Sequence, residues 1–320
     1  MTKIVILDVG HGNCAVMCDD QRCFVIDAGP GTALLEFLLE NQLKIVDEIL
    51  ISHADTDHLK GLDGLLDQND IDIGSVRLNS DAAKKSAQWD AMLHSLDDRR
   101  RKNKIQFEVQ LVEGLEIPFL GGVVEVLAPS AYLAGKGPGS RDSDGQRITT
   151  NTISAVVRAS TVDHSVLFTG DIDDVGLDHL VASGQDLRAD ILVFPHHGGH
   201  VSSPASATHN RQFAEALLSA VDPGIVVFSF SRTRFKNPRP EIIEAVTAGN
   251  SRKVMCTQMS KRCLEQSPRY DRHLASVFAD GRQPGNCCAG SIVVAGADLQ
   301  PSVVAHTKFV STRAPNALCI

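Results

Sequence analysis

Apolar, β-branched segments follow one another along this chain in an order that few architectures accommodate. KIVILDV, CAVMC and CFVIDAG come first, separated by the turns GHGN and DDQR, and read as a strand meander. A helix over 32–43 follows, its leucines at helical spacing after a Gly-Pro-Gly turn. VDEILISH then reads as a buried strand, HLKGLDGLLDQ as a short helix, SVRLNS as a strand and AAKKSAQWDAMLHSLDDRRRK as an outer amphipathic helix. IQFEVQLV, LEIPFL, VVEVLAP, NTISAVVRA and HSVLFTGD are further strands, and Gly- and Ser-rich residues 130–150 are expected to form a mobile loop. Strand and helix alternate from there: DDVGLDHLVAS, ADILVFPHHGG, a helix over about 204–220, GIVVFSFS, PEIIEAVTAG and KVMCT. The tail holds a cysteine-bearing loop and two expected strands, SIVVAG and SVVAHTKFV. A meander, an alternation and a returning meander suit an α+β chain of two packed sheets with helices on both outer faces, an αββα four-layer sandwich.

Length and composition are compatible with one such domain over 1–320. The chain is 43% hydrophobic and 22% charged, ordinary for a globular protein. It has no run of 18 apolar residues and no signal-like N-terminus, so a cytoplasmic protein without a membrane span is expected. A net charge of −8 argues against a surface coated in basic residues for gripping long nucleic acid. Bound cations change that balance, since two divalent ions restore about four positive charges to a site. The 8 cysteines are too sparse for a disulfide scaffold and fit a reducing compartment. Cys18 and Cys23 flank a hairpin loop and are expected to face each other as thiols. Cys256, Cys263, Cys287 and Cys288 have poor spacing for a zinc ribbon, so buried thiols are expected, with structural zinc as the alternative.

The chemistry concentrates at strand ends. SHADTDHLKGL (52–62) crowds His53, Asp55, Asp57 and His58 between a buried strand and a helix. Two carboxylates desolvated together are costly unless a cation neutralises them, so this cluster reads as a metal site. FTGD places Asp171, and FPHHGG places His196 and His197, at the ends of two more apolar strands. A carboxylate such as Asp171 can bridge two cations while imidazoles complete each shell. Asp8 and Asp27, which end strands before glycines, are expected to orient ligands by hydrogen bonds. His11 of the GHGN turn either approaches the site or is an ordinary turn histidine. The basic run 231–240 follows a strand end near these motifs, so Arg232, Arg234, Lys236 and Arg239 are candidate phosphate contacts. The RRRK run at 99–102 reads as a solvated helix face.

These motifs resemble the metallo-β-lactamase superfamily, and more narrowly the soluble metallohydrolase domain of the DNA-uptake protein ComEC. The matching pieces are LDVGHGN, VIDAG, SHADTDHLKGL, NTISAVVR, FTGD, FPHHGG and NPRPEIIEAV, spread over about residues 4–260. The resemblance leaves 261–320 as an extension of strands and a cysteine-bearing loop on the same domain. It implies that His53 and Asp55 bind a first metal, that Asp57 and His58 bind a second, and that Asp171 bridges. One of His196 and His197, with His197 favoured, completes the second site. Asp57 is also implied as the catalytic group that orients water and takes its proton. Asn151, Asn237 and His11 join Arg234, Lys236 and Arg239 as implied substrate contacts.

The chain departs from the superfamily pattern in three places. Asp55 stands where a second histidine is usual, Asn151 lies in the region where another histidine often precedes the bridging aspartate, and Asn237 replaces the histidine of a His-Pro-x-Pro segment. More oxygen and less imidazole shift the expected two divalent ions from zinc towards manganese, with magnesium a third candidate. The expected function is a metallohydrolase, first a phosphodiesterase or nuclease in which hydroxide generated at a dinuclear site attacks phosphorus. Its expected partner is a phosphodiester in nucleic acid or a nucleotide, with a protein partner left open and no membrane. The alternatives are hydrolysis of a small ester, thioester or lactone, and a non-catalytic or partner-dependent binding module with a degenerate metal site.

Overall fold

A computed structural model describes residues 2–201, 205–250, 252–270, 272–317 and 319. Two sheets carry the fold. The first contains β1 (Lys3–Ile6), β2 (Cys14–Cys18), β3 (Arg22–Ala28), β4 (Ile45–Ile51), β5 (Asp72–Leu78) and β6 (Gln106–Glu108). The second contains β7 (Glu116–Phe119), β8 (Gly122–Ala128), β9 (Val156–Ser160), β10 (Ser165–Phe168), β11 (Ile191–Val193), β12 (Ile225–Phe228) and β13 (Lys253–Cys256). β14 (Ile292–Ala295) and β15 (Asp298–Gln300) return to the first sheet, β14 pairing antiparallel with β1. The first sheet runs β15-β14-β1-β2-β3-β4-β5-β6, and the second runs β13-β12-β11-β10-β9-β8-β7.

Three apolar layers hold the sandwich together. The inner layer joins Ile4, Met17, Phe24 and Leu50 of the first sheet to Val126, Val157, Phe168 and Val227 of the second. The first sheet's other face packs Val16, Val25 and Ile49 against α1 (Ala33–Glu40), α3 (Gly61–Leu66) and α4 (Ala87–Arg101). The second sheet's outer face packs Leu167, Leu192 and Val226 against α6 (Asp174–Ala182), α7 (Ala207–Val221), α8 (Pro240–Thr247) and α9 (Val303–Arg313). Strands covered on both faces need apolar side chains at nearly every position, which is why CAVMC and ILV show no alternation. α4 is held by its Ser86 cap and a basic last turn, and buries only Trp89, Met92 and Leu96. The first residues of the helix expected over 204–220 fall partly outside the described ones; α7 begins at Ala207.

Two expectations are corrected. SVVAHTKFV is not a strand: Ser302 caps it, accepting from Ala305 N at 3.2 Å, and it forms α9. Its β-branched residues suggest a strand, yet His306, Phe309 and Val310 recur at helical spacing and supply the buried face. Residues 130–150 are not structureless either. α5 (Ala131–Lys136) opens the segment, turns between Gly139 and Ile148 close on themselves, and Leu133, Ile148 and Ile153 form a small apolar core. Cys18 and Cys23 are register partners across the hairpin and are both free, buried thiols.

β3, β4, β5 and β6 run parallel, as do β10, β11, β12 and β13. Loops after parallel strands all leave at the carboxyl ends, where open α/β sheets place their binding crevices. This brings the segments after β3, β4, β5, β10, β11 and β12 to one edge of the sandwich.

Candidate metal centre

Asp57, His58, Asp171 and His197 converge there, one side-chain ligand atom from each lying within 4.8 Å of the others. Asp57 and His58 lie in α2 (Thr56–Leu59), the short helix begun just after β4. Asp171 follows β10, and His197 follows β11. The turn FPHHGG is tight and left-handed, with φ of 52° at His196, 54° at His197 and 72° at Gly198. Non-glycine residues rarely adopt that conformation, and here it sends two consecutive imidazoles in different directions. His197 Nε2 stands 3.2 Å from Asp57 Oδ2 and 3.7 Å from Asp171 Oδ2. His196 instead directs Nε2 to Ile172 O at 3.1 Å, while its Nδ1 stays 3.7 Å from Asp171 Oδ2. Gly12 of the GHGN turn has φ 141°, and a Cβ there would run into the Asp57 carbonyl, so glycine lets that turn close on the α2 loop.

Neighbours fix which ring nitrogen each histidine offers. His197 Nδ1 donates to Ser229 O at 2.8 Å, and a carbonyl can only accept, so Nε2 faces the cluster. His58 Nδ1 donates to Asp27 Oδ2 at 2.7 Å, which frees His58 Nε2 in the same way. Ser52 Oγ donates to Asp27 at 2.9 Å, so its lone pair accepts from His53 Nδ1 at 3.0 Å. The Nε2 atoms of His53 and His58 are buried and make no hydrogen bond. Buried polar atoms without partners are exceptional, and imidazole nitrogens aimed at carboxylates fit a cation. Burial works to raise the acids, but His197, His58 and His196 hold Asp171 well below the usual carboxylate range. Against the same burial, the His197 hydrogen bond and the nearby His58 lower Asp57. The chain thus presents two ionised carboxylates and two oriented imidazoles, a donor set suited to zinc, manganese or magnesium.

A family model for the metallo-beta-lactamase superfamily matches residues 7–220. The chain belongs to this superfamily. It carries the metallo-β-lactamase fold, and its class is that of a metal-dependent hydrolase. The competence protein ComA of Neisseria gonorrhoeae is 23% identical over 263 residues, covering 80% of this chain and 31% of that protein. The chain therefore spans about a third of that relative's length. Among solved structures, the metallo-beta-lactamase fold protein YhfI from Bacillus subtilis is similar at 11% identity and a TM-score of 0.49, covering 79% of this chain and 96% of that one. The metal-dependent hydrolase Tm1679 of the beta-lactamase superfamily is similar at 18% identity and the same TM-score of 0.49, covering 80% and 96%. No helix among the described residues is long and apolar enough to cross a membrane.

This candidate centre gathers the other expected residues unevenly. His53 and Asp55 lie beside the four-residue cluster but outside it, with His53 Nε2 3.7 Å from Asp55 Oδ2. The other oxygen of Asp55 is bonded by Lys84 Nζ. His11 reaches the cluster, its Nε2 3.4 Å from Asp57 Oδ2 and its ring 4.4 Å from that of His197. Asn151 lines the adjoining cleft together with Asp55, Lys84, Arg147, Thr149 and His196. Arg234 and Lys236 are exposed, and the Phe235 ring between them lies 4.6 Å from that of His11, tilted 51° to it. Asn237 is buried against Gly199, its carbonyl accepting from Ser260 Oγ at 2.7 Å. Arg239 pairs with Glu241 at 3.3 Å. Arg232 is corrected: it is 4% exposed and donates to the carbonyls of Met259, Leu264 and Glu265, so it ties loops together and does not face a substrate.

The cysteines also separate. Cys287 Sγ faces Asp8 at 3.7 Å, while Cys288 Sγ meets His306 Nε2 at 3.2 Å. Sequence reasoning missed Lys84 and Arg147. The loop after β5 adjoins the α2 loop only because β5 pairs with β4, which is legible once the strand order is known.

Proposed function

We propose that this chain is a metal-dependent phosphodiesterase acting on nucleic acid or a nucleotide, with Asp57, His58, Asp171 and His197 holding a divalent ion. The observation that carries the reading is the juxtaposition of those four ligands with exposed cations and an exposed aromatic ring on one face. When bound, the ion supplies Lewis acidity and lowers the pKa of water at the site. Asp57 Oδ2, close to His11 and His197, is placed to orient water and accept its proton. Lys84 and Arg147 line the cleft on one side, and Arg234 and Lys236 stand exposed beside Phe235. Cations so placed neutralise phosphate oxygens. Phe235 is 56% exposed beside His11, a position from which a ring can stack on a base. His53 and Asp55 are the pair that the family resemblance assigns to the first of two ions.

The test is cleavage of linear single- and double-stranded DNA and of bis(4-nitrophenyl) phosphate, each with manganese, magnesium or zinc. Wild type and Asp57→Ala run side by side. Metal-dependent cleavage that vanishes in Asp57→Ala while circular dichroism is unchanged is the expected result. Full activity in Asp57→Ala would sink the assignment. Turnover of carboxylic esters but of no phosphodiester would move the substrate class.

A further inference from the structure

We propose that the Lys84 ammonium takes the place of the cation that the resemblance assigns to His53 and Asp55, so that the chain holds one divalent ion with Lys84 fixed beside it as a built-in positive charge. This rests on the metallohydrolase reading above and concerns what occupies the His53–Asp55 side of that centre.

Convergence is the first observation. Among the described residues, one group brings three or more metal-ligating atoms together, and it leaves out both His53 and Asp55. A divalent ion needs several donors at about 2 Å, hence donors that nearly touch one another. The second observation is the partner of Asp55. Lys84 Nζ bonds Oδ1 of that carboxylate, and Oδ2 lies on the His53 side. An ammonium is a compact point charge with three donors. It neutralises the acid that would attract a metal, and it repels any divalent ion brought close to it.

Lys84 is also held in place by its surroundings. Asp81, 4% exposed, accepts the backbone N–H groups of Ala83 and Lys84 on Oδ1, each at 3.0 Å. Its Oδ2 accepts from Thr150 Oγ1 at 2.6 Å. That bond ties the Lys84 turn to the segment that carries Asn151. Asn151 lies in the region where the superfamily resemblance expects a histidine, and its Oδ1 is buried without a hydrogen-bond partner. Two of the departures therefore meet a lysine on one side of the centre: an acid for an imidazole at Asp55, an amide at Asn151, and Lys84 placed on the acid. Together they remove ligands from a second ion and supply its charge by other means. In this position Lys84 can donate to a substrate oxygen at the cleft it lines.

The experiment measures metal content and not turnover. Wild type, Lys84→Ala and Lys84→Arg are loaded with excess manganese, freed of unbound ion by gel filtration, and analysed by mass spectrometry of the metal and by electron paramagnetic resonance. The Lys84 side chain is 26% exposed, so truncation leaves the core intact, which circular dichroism checks. Wild type and Lys84→Arg should retain about one ion per chain with an uncoupled manganese signal, and Lys84→Ala should retain about two with a spin-coupled signal. Two ions in wild type would overturn the inference and leave the metallohydrolase reading standing. One ion in both wild type and Lys84→Ala would show that Lys84 does not exclude the second. No ion in wild type under any metal would overturn both readings.

Discussion

His58 Nδ1 lies 2.7 Å from Asp27 Oδ2, and neither side chain has more than a few per cent of its surface exposed. The bond sets the imidazole's tautomer and turns Nε2 towards Asp57, Asp171 and His197. Asp27 itself is held with φ 57° and receives the Ser52 backbone N–H at 2.7 Å. It touches no atom of the four-ligand cluster except through His58. Asp27→Asn keeps the shape, but its amide no longer accepts at every edge. Outer partners of this kind are worth roughly 10–100-fold in metal affinity. Titration of the metal-free variant should show a weakening in that range, with activity recovering at high metal concentration. Unchanged affinity would mean that the His58 ring is fixed by packing alone.

Phe235 and His11 make the second prediction. The exposed phenyl ring of Phe235 lies 4.6 Å from a histidine of the centre and is tilted 51° to it. Base stacking on such a ring is worth about 1–3 kcal/mol by alanine substitution. Phe235→Ala should raise KM for single-stranded DNA by roughly 5- to 150-fold and leave KM for bis(4-nitrophenyl) phosphate within about twofold. Equal losses on both substrates would argue that Phe235 merely props His11.

The metal motifs were legible because each is local: a strand that is apolar at nearly every position, then His or Asp at its end. Three such ends meet at one edge because the strands before them are parallel, which the alternation of strand and helix already implied. The choice between His196 and His197 was not legible, since it depends on two successive left-handed residues that no spacing rule announces. Lys84 was hidden for a different reason. Nothing in DAAKK marks a site until β5 is known to lie beside β4. Arg232 misled because burial, and not residue type, separates an arginine that binds carbonyls from one that binds phosphate. α9 misled because its β-branched composition outweighed the spacing of its buried face.

Arg232 and Arg234 should accordingly behave in opposite ways. Arg232→Ala removes the donor shared by the buried Met259 carbonyl and the part-buried carbonyls of Leu264 and Glu265. A buried acceptor left without its partner costs about 1–3 kcal/mol, while the two part-buried carbonyls can turn to water, so a loss of roughly 1–3 kcal/mol in unfolding free energy is expected. Arg234→Ala removes an exposed side chain and should stay within about 0.5 kcal/mol of wild type, while weakening binding of DNA. Urea unfolding of the two variants measures the contrast. A stable Arg232→Ala protein with poor DNA binding would return Arg232 to the substrate face.

Asp8 carries a pH dependence that can be read apart from the metal. It is fully buried, and burial pushes its carboxyl up to about 6 against the hydrogen bonds from Gly281, Gly10 and Gln258. The unfolded chain releases this proton near the ordinary carboxyl value of 3.8, so between the two values the native state binds more protons than the unfolded one. Stability from this group is therefore greatest below the unfolded value, falls as pH rises to about 6, and stays lower above it. The difference corresponds to about 3 kcal/mol. Asp8→Asn cannot titrate and should lack that fall, whatever its absolute stability. Unfolding free energies of both proteins from pH 4 to pH 8 give the measurement. Wild type minus variant should drop by about 2.5 kcal/mol across the window, which opens just above the unfolded value. A flat difference would show that the Asp8 carboxyl ionises in its buried pocket as readily as in water.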